Sequence, residues 1–472
     1  MRLRYFAVSL LCLAAGTAGA QSGKSTQAGK SPELRVEYTK ETLPNGLTVI
    51  YHVDHSTPVA AVLLWYNVGS KMEQPGRTGF AHLFEHMMFQ GSKNVEKGQH
   101  FGLLEAAGGR AGADINGTTD QDRTNYFEQI PSNQLELALW LESDRMGTLT
   151  QTLTKEKLDN QREVVKNERR QGVDNQPYGT WSEKTEEMLF PDSHPYHHSV
   201  IGSMTDLSAA SLEDVQNFFK TYYAPNNAVL VVAGDIDVPQ AKALVSKYFG
   251  PIPRGPVPPK MASMSVPTVV GREQRVVVQD PLAPAPAVFV TYRVPPAKDR
   301  RAQVVSLLGT VIGGGASSRL DESLVRKQQI ATNVTAFNFG LADGADILVF
   351  IANGKPGSNP DSLERALLAE LAGASSFTQS ELDRARARER FSFVDALQYT
   401  GSVGGRADRL AEGWTFFHNP DYVNTVLGDI DRVKLADLNA LAQERLVPSN
   451  RVILVYVPAK KTATETSSTR AN

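Results

Sequence analysis

Phe80-Ala81-His82-Leu83-Phe84-Glu85-His86-Met87-Met88 places two imidazoles four residues apart, with a carboxylate beside the second. Positions i, i+3 and i+4 share one face of a helix, so His82, Glu85 and His86 project together. At about 100° per residue, Phe80, Leu83, Phe84, Met87 and Met88 form an apolar stripe on the opposite side. Thr78 is the expected N-cap and Gly91 the expected stop. The pattern predicts a helix that buries its apolar side and presents two zinc-binding imidazoles and a base. Catalytic zinc usually takes three protein ligands and keeps a fourth position open for water, so a third ligand must lie elsewhere.

The candidate segment is Gln161-Arg162-Glu163-Val164-Val165-Lys166-Asn167-Glu168. It falls in a predicted helix from about Lys155 to Gln171, capped by Thr154, with Glu156 in the first turn and Gly172 at its end. Val164 and Val165 anchor that helix in the core. Glu168 follows one turn beyond Val165, and Glu163 is the competing carboxylate. Spacing alone leaves both open.

With these two segments the chain resembles the pitrilysin-type (inverzincin) metallopeptidases, which include insulin-degrading enzyme and mitochondrial processing peptidase. The resemblance covers nearly the whole chain after its N-terminal segment. It implies Glu168 as the third ligand, one Zn2+ per chain, and Glu85 as general base for a zinc-activated water attacking a peptide carbonyl. Gln161 stands where relatives often carry a further glutamate. Asn116-Gly117-Thr118-Thr119-Asp120-Gln121-Asp122-Arg123-Thr124-Asn125-Tyr126 is similar to the family's substrate-pairing edge strand. Asn116, Gly117 and Thr118 match the positions that contact the peptide main chain, a mode that tolerates many sequences because backbone hydrogen bonds supply the affinity. The implied fold class is α+β: two homologous α/β-sandwich domains forming half of a clam-shell chamber.

Family members that complete their site alone tend to carry an Arg and a Tyr seven apart after a glycine-rich turn. The turn is present as Gly313-Gly314-Gly315, but Val325 and Thr332 occupy the expected places and Arg326 is one position off. The resemblance therefore implies a zinc subunit whose sibling chain supplies the pair. A self-sufficient homodimer and a non-catalytic peptide-binding subunit are the alternatives, the latter having no use for an intact His82, Glu85 and His86 set.

The remaining sequence fits this frame. The chain has 472 residues, 41% hydrophobic and 21% charged, with net charge −2. That is globular material sufficient for two or more domains, with no electrostatic reason to expect nucleic acid as a partner. No long apolar run follows the N-terminus, so no membrane span is expected. Arg2 and Arg4 precede the apolar run 5–15, and Ala18-Gly19-Ala20 forms a cleavage site, so residues 1–20 read as an export signal cut after Ala20. The protein is then periplasmic or secreted. Cys12, the only cysteine, lies inside that signal, which leaves His and carboxylate for any metal.

An internal repeat sets the domain organisation. Asp214 precedes Pro225-Asn226-Asn227 and Asp437 precedes Pro448-Ser449-Asn450 by the same eleven positions, each followed by an apolar run. Each copy reads as a helix, a Pro-led turn and a buried strand. The proline-rich stretch 251–259 separates them. The expected boundaries are a disordered segment 21–33, a zinc-binding domain 34–250, a linker 251–270, a homologous domain 271–458 without a zinc site, and a disordered tail 459–472. Strands are expected over 47–53, 59–68, 229–233, 275–278, 288–292 and 452–457, and helices over 135–146, 214–222 and 381–397. In each half the helices are expected on one face of a sheet. His418 is the second half's only histidine, so that half cannot rebuild a two-histidine site. His194, His197 and His198 sit in a proline-punctuated loop and read as packing residues.

Overall fold

Strands rich in Val, Leu, Ile and Tyr form two mixed sheets in the computed structural model, which describes residues 34–261, 263–374 and 376–459. The expected export signal over residues 1–20, the expected segment 21–33 and residues 460–472 lie outside the described residues. The first sheet contains β1 (Thr39–Thr42), β2 (Thr48–Val53), β3 (Val59–Tyr66), β4 (Ile115–Thr119), β5 (Thr124–Pro131) and β6 (Ala228–Gly234), in the order β1-β2-β6-β3-β5-β4. The second contains β7 (Gln274–Asp280), β8 (Ala287–Val294), β9 (Ala331–Asn338), β10 (Asp346–Gly354) and β11 (Arg451–Pro458), in the order β7-β11-β8-β10-β9. Without β1 the two orders correspond strand for strand. Each has one parallel pair, β2 with β6 and β7 with β11.

The repeated sequence has a physical basis. The Leu212–Tyr222 and Leu435–Arg445 helices each run into a 3-10 turn, Pro225–Asn227 or Pro448–Asn450, and then into a buried strand. Asn227 donates through Nδ2 to the Tyr222 carbonyl at 2.8 Å, and Asn450 does the same to the Arg445 carbonyl at 2.9 Å. The asparagine five residues after each helix end thus ties off that end, while proline presets the turn.

β1, β4, β5, β9 and β10 lie outside the strands expected from periodicity, β4 being expected from the family resemblance alone. β10 is a continuous apolar run, which periodicity alone does not separate from a buried helix. β5 interrupts its apolar residues with Asn125, Glu128 and Gln129. Glu128 is tolerated there because Arg145, itself buried, donates to it at 3.2 Å. Ala459, where the tail is expected to begin, donates its amide to the Asp280 carbonyl at 2.9 Å.

Helices cover both faces of each sheet, not one. The front of the first sheet packs on the Phe80–Met87, Leu135–Thr148, Leu212–Tyr222 and Val238–Phe249 helices. Its back, with Ile50, Leu63, Trp65 and Val231, is sealed by Phe393, Leu410 and Ile430 from beyond the linker. Reciprocally, Leu189 and Phe190 reach from the first half onto the back of the second sheet, where Trp181 stacks on Phe289 at 5.2 Å. The reason lies in the strands: β3 is buried from Ala60 to Tyr66 on both faces, and each large apolar side chain so buried contributes about 1.5–3 kcal/mol. A one-sided cover would forfeit half of that.

Polar ties accompany the exchange. Asp408 is buried and accepts from Trp65 Nε1 at 3.0 Å, Asn125 Nδ2 at 3.2 Å and the Gly404 amide at 2.7 Å. Lys71, also buried, bridges Asp122 at 2.7 Å and Asp343 at 2.8 Å. The described residues from Val36 onward accordingly cluster as one compact unit. Among the described residues no helix is long and apolar enough to cross a membrane.

Asp408→Ala removes the common acceptor of three donors, two of them buried side chains. A cost of about 2–4 kcal/mol is expected. For a chain of this size that lowers the thermal midpoint by about 2–4 °C, readable by calorimetry.

Candidate metal centre

The Phe80–Met87 helix is fixed before its polar face is used. Phe80, Leu83, Phe84, Met87 and Met88 are all 4% exposed or less, as their spacing predicts. Thr78 is not the cap. Its hydroxyl donates to Asp206 at 2.6 Å, and Gly79 occupies the N-cap in the left-handed region at φ 88°. A β-carbon there would meet the Ile201 carbonyl at 2.8 Å, so glycine is required. The free amides of the first turn go instead to Glu73, whose carboxylate accepts from Gly79 at 2.9 Å and Ala81 at 2.7 Å. Nothing local in the sequence marks Glu73 for this. At the other end Gly91 turns the chain at φ 87°, as expected.

The second helix runs Lys155–Arg169, with Thr154 accepting from the Lys157 amide, and continues as a wide turn over Arg170–Asp174 that contains Gly172. It delivers Glu168 to the first helix. Glu168 Oε2 lies 3.6 Å from His82 Nε2 and 3.3 Å from His86 Nε2, and the two Nε2 atoms are 3.3 Å apart. Glu163, the competing carboxylate, points elsewhere and pairs with Lys166 at 2.8 Å. Donors 2.0–2.2 Å from a tetrahedral zinc are separated by about 3.4 Å, so the three atoms match three corners of such a site. Gln161 is buried beside them and hydrogen-bonds His86. His82 Nδ1 is buried without a protein partner.

The electrostatics distinguish the two imidazoles. Burial, reinforced by His86, pushes His82 down to about 4. Burial also acts to lower His86, but the hydrogen bond and charge of Glu168, with Glu85 and Gln161, outweigh it and raise His86. The His86 hydrogen bond holds Glu168 below the usual carboxylate range. Glu85 goes the other way: burial raises it, against the Thr119 hydrogen bond and the charges of His86 and Arg123. A carboxyl raised in this way suits a group that must accept and return a proton.

Beside this helix lies β4, and no described strand pairs with its outer edge. The ladder to β5 sets its orientation. The Asp120 amide donates to the Arg123 carbonyl at 3.0 Å and the Gln129 amide to the Asp114 carbonyl at 2.8 Å. Alternation along an antiparallel pair then directs the main-chain groups of Asn116 and Thr118 at β5, and those of Gly117 and Thr119 outward. Of the three residues expected to contact a peptide main chain, only Gly117 turns its backbone to the open edge. Asn116 Oδ1 accepts from the Gly117 amide at 2.9 Å, and Thr118 Oγ1 donates to Asn125 at 2.6 Å. Gly117 also leaves room for the base, since a β-carbon there would stand 3.0 Å from Glu85 Cγ, tighter than ordinary van der Waals contact.

The insulinase description of peptidase family M16 matches residues 48–191, and the M16 inactive-domain description matches residues 209–389. The zinc protease PqqE of Helicobacter pylori is 30% identical over 381 residues, 79% of this chain and 83% of that protein. The chain belongs to peptidase family M16. This M16 chain is also similar to the mitochondrial-processing peptidase subunit beta of Blastocladiella emersonii, 25% identical over 90% of each chain. The solved structure of a protease from Helicobacter pylori superposes with a TM-score of 0.82 at 27% identity, covering 90% of this chain and all of that one.

Other histidines of this M16 chain are accounted for by packing. His194 stacks on Phe190 at 4.7 Å, and its Nδ1 accepts from the Tyr196 amide. His197 contacts the Phe190 carbonyl, and His198 lies 3.5 Å from Glu73. A second buried cluster, His100, Glu128 and Glu142, already contains its cation: Arg145 Nε donates to Glu142 at 2.9 Å and Nη2 to both carboxylates.

Glu168→Gln is expected to weaken zinc binding by more than about 100-fold, beyond what loss of an outer-shell partner does. Glu163→Gln should leave it unchanged. Competition titration with a chromophoric chelator reads both, and the opposite result would reassign the third ligand.

Proposed function

We propose that this chain is a zinc-dependent endopeptidase, with one Zn2+ held by His82, His86 and Glu168 and with Glu85 as general base. The observation that carries the reading is the triangle of donor atoms at 3.3, 3.3 and 3.6 Å, with the Glu85 carboxyl on the same helix turn and an open strand edge beside it. Relatives named as zinc proteases support it at the level of the reaction class. Zinc, when held by His82, His86 and Glu168, would supply Lewis acidity, lowering the pKa of water towards 7 and polarising a carbonyl. Glu85 takes the proton of the attacking water and returns it to the leaving amine.

An extended peptide is held as an added strand along β4, in the segment Asn116, Gly117 and Thr118, with backbone pairing through the outward groups at Gly117. Export to the periplasm or outside the cell completes this reading.

The same chain does not place a second cation and phenol at the site through the expected segment. Val325 packs against the core of the second half, Arg326 pairs with Asp321 at 2.8 Å, and Thr332 donates to the Asn353 carbonyl at 3.1 Å. This supports a heterodimer in which a sibling subunit supplies the Arg/Tyr pair that steadies the oxyanion.

The zinc-loaded mature chain, purified alone, is expected to hydrolyse a quenched fluorescent peptide only slowly. Glu85→Gln should cut that rate by at least about 100-fold while zinc stays bound. A chelator should abolish turnover and added zinc restore it. Robust turnover by the lone chain would assign a self-sufficient homodimer, and turnover unaffected by Glu85→Gln would remove the mechanism.

A further inference from the structure

The hydroxyl of Thr119, at the end of β4, has one proton and two neighbours. Glu85 Oε2 lies 2.5 Å away and Thr124 Oγ1 lies 3.3 Å away. Thr124 commits its own proton to the Val68 carbonyl at 2.9 Å. The shorter contact and the acceptor-only carboxylate therefore take the Thr119 proton, and Thr124 stands behind it as a fixed support. Glu85 is a long, rotamer-rich side chain in a buried place, so a charge-assisted hydrogen bond to one of its oxygens decides where the other one points.

Thr119 faces two ways. Its side chain turns towards the Glu85 layer, the face on which a β-carbon at Gly117 would also lie. Its amide and carbonyl turn outward, by the alternation established from the Asp120–Arg123 and Asp114–Gln129 hydrogen bonds. At the same residue the strand edge and the base therefore meet.

We propose that Thr119 is a positioning residue that joins the two functions of the site. Its hydroxyl holds Glu85 Oε2 and leaves Oε1 for the exchanged proton, while its outward main chain pairs with a peptide lying along β4. The inference rests on the peptidase reading of Glu85. It assigns a role to a residue outside the expected trio Asn116, Gly117 and Thr118.

Thr119→Val keeps the shape and the strand propensity and removes only the hydroxyl, whereas Thr119→Ser keeps the hydroxyl. In the zinc-loaded protein Thr119→Val should lower kcat by about 10- to 100-fold, the size of a hydrogen bond to a charged group, with KM and zinc content unchanged. Thr119→Ser should recover kcat to within about threefold of the parent. Wild-type kcat in Thr119→Val, or a change confined to KM, would overturn the proposal.

Crystal structures of the two variants supply a reading independent of turnover. In Thr119→Val the Glu85 carboxylate should leave its position or occupy several rotamers, and in Thr119→Ser it should stay. A single unmoved Glu85 rotamer in Thr119→Val would overturn the positioning role. A parent protein that binds zinc but cleaves no peptide even with its sibling subunit present would instead count against the peptidase reading, and the crystallographic comparison would still decide the role of Thr119.

Discussion

Everything at the centre depends on one helix of eight residues being immobile while half of its surface is polar and nearly buried. An isolated helix of that length is not stable in water, so its order must come from tertiary packing. The apolar stripe from Phe80 to Met88 supplies that packing against the front of the first sheet, and Glu73 satisfies the amides that a buried helix start would leave unpaired. With that face anchored, His82, Glu85 and His86 are held in place from the buried side of the helix. The donor spacing that suits zinc follows from this anchoring as much as from the i, i+4 interval.

The second helix adds what no local pattern can supply, which is approach. Leu158 and Val165 seat it in the same core, and Glu168 arrives near the end of its last regular turn. Glu163, five residues earlier, looks outward and pairs with Lys166. Two carboxylates equivalent on paper are thus separated by the rotation of one helix about its axis.

The two halves are welded more closely than their linear separation by a proline-rich linker suggests. Each contributes side chains to the back of the other's sheet, and Asp408 and Lys71 carry polar connections across. Among the described residues the second half gathers no cluster of metal ligands, yet its Asp408 grips Asn125. Asn125 in turn accepts from Thr118 on the exposed edge strand. The second half therefore takes part in shaping the exposed edge strand β4 of the first.

Much of this was legible in the residues. The helix carrying His82, Glu85 and His86, its buried stripe, its stop at Gly91 and the Thr154 cap are consequences of short-range periodicity and capping, which act within a turn or two. The repeat around Asn227 and Asn450 was legible for the same reason, because each asparagine caps a helix end only five residues away. What stayed hidden depends on contacts between residues far apart in the chain. Glu73 replaces Thr78 as the cap because folding brings it under the helix start, and Glu128 can sit in β5 because Arg145 lies beside it. Thr119 meets Glu85 only after β4 is laid against the helix. The sequence by itself determined which residue types could hold a metal and move a proton, since that is fixed by side-chain chemistry and helical geometry. Only the tertiary structure decided which carboxylate completes the triangle and which backbone groups face outward, because both depend on helix rotation and strand register set by long-range packing.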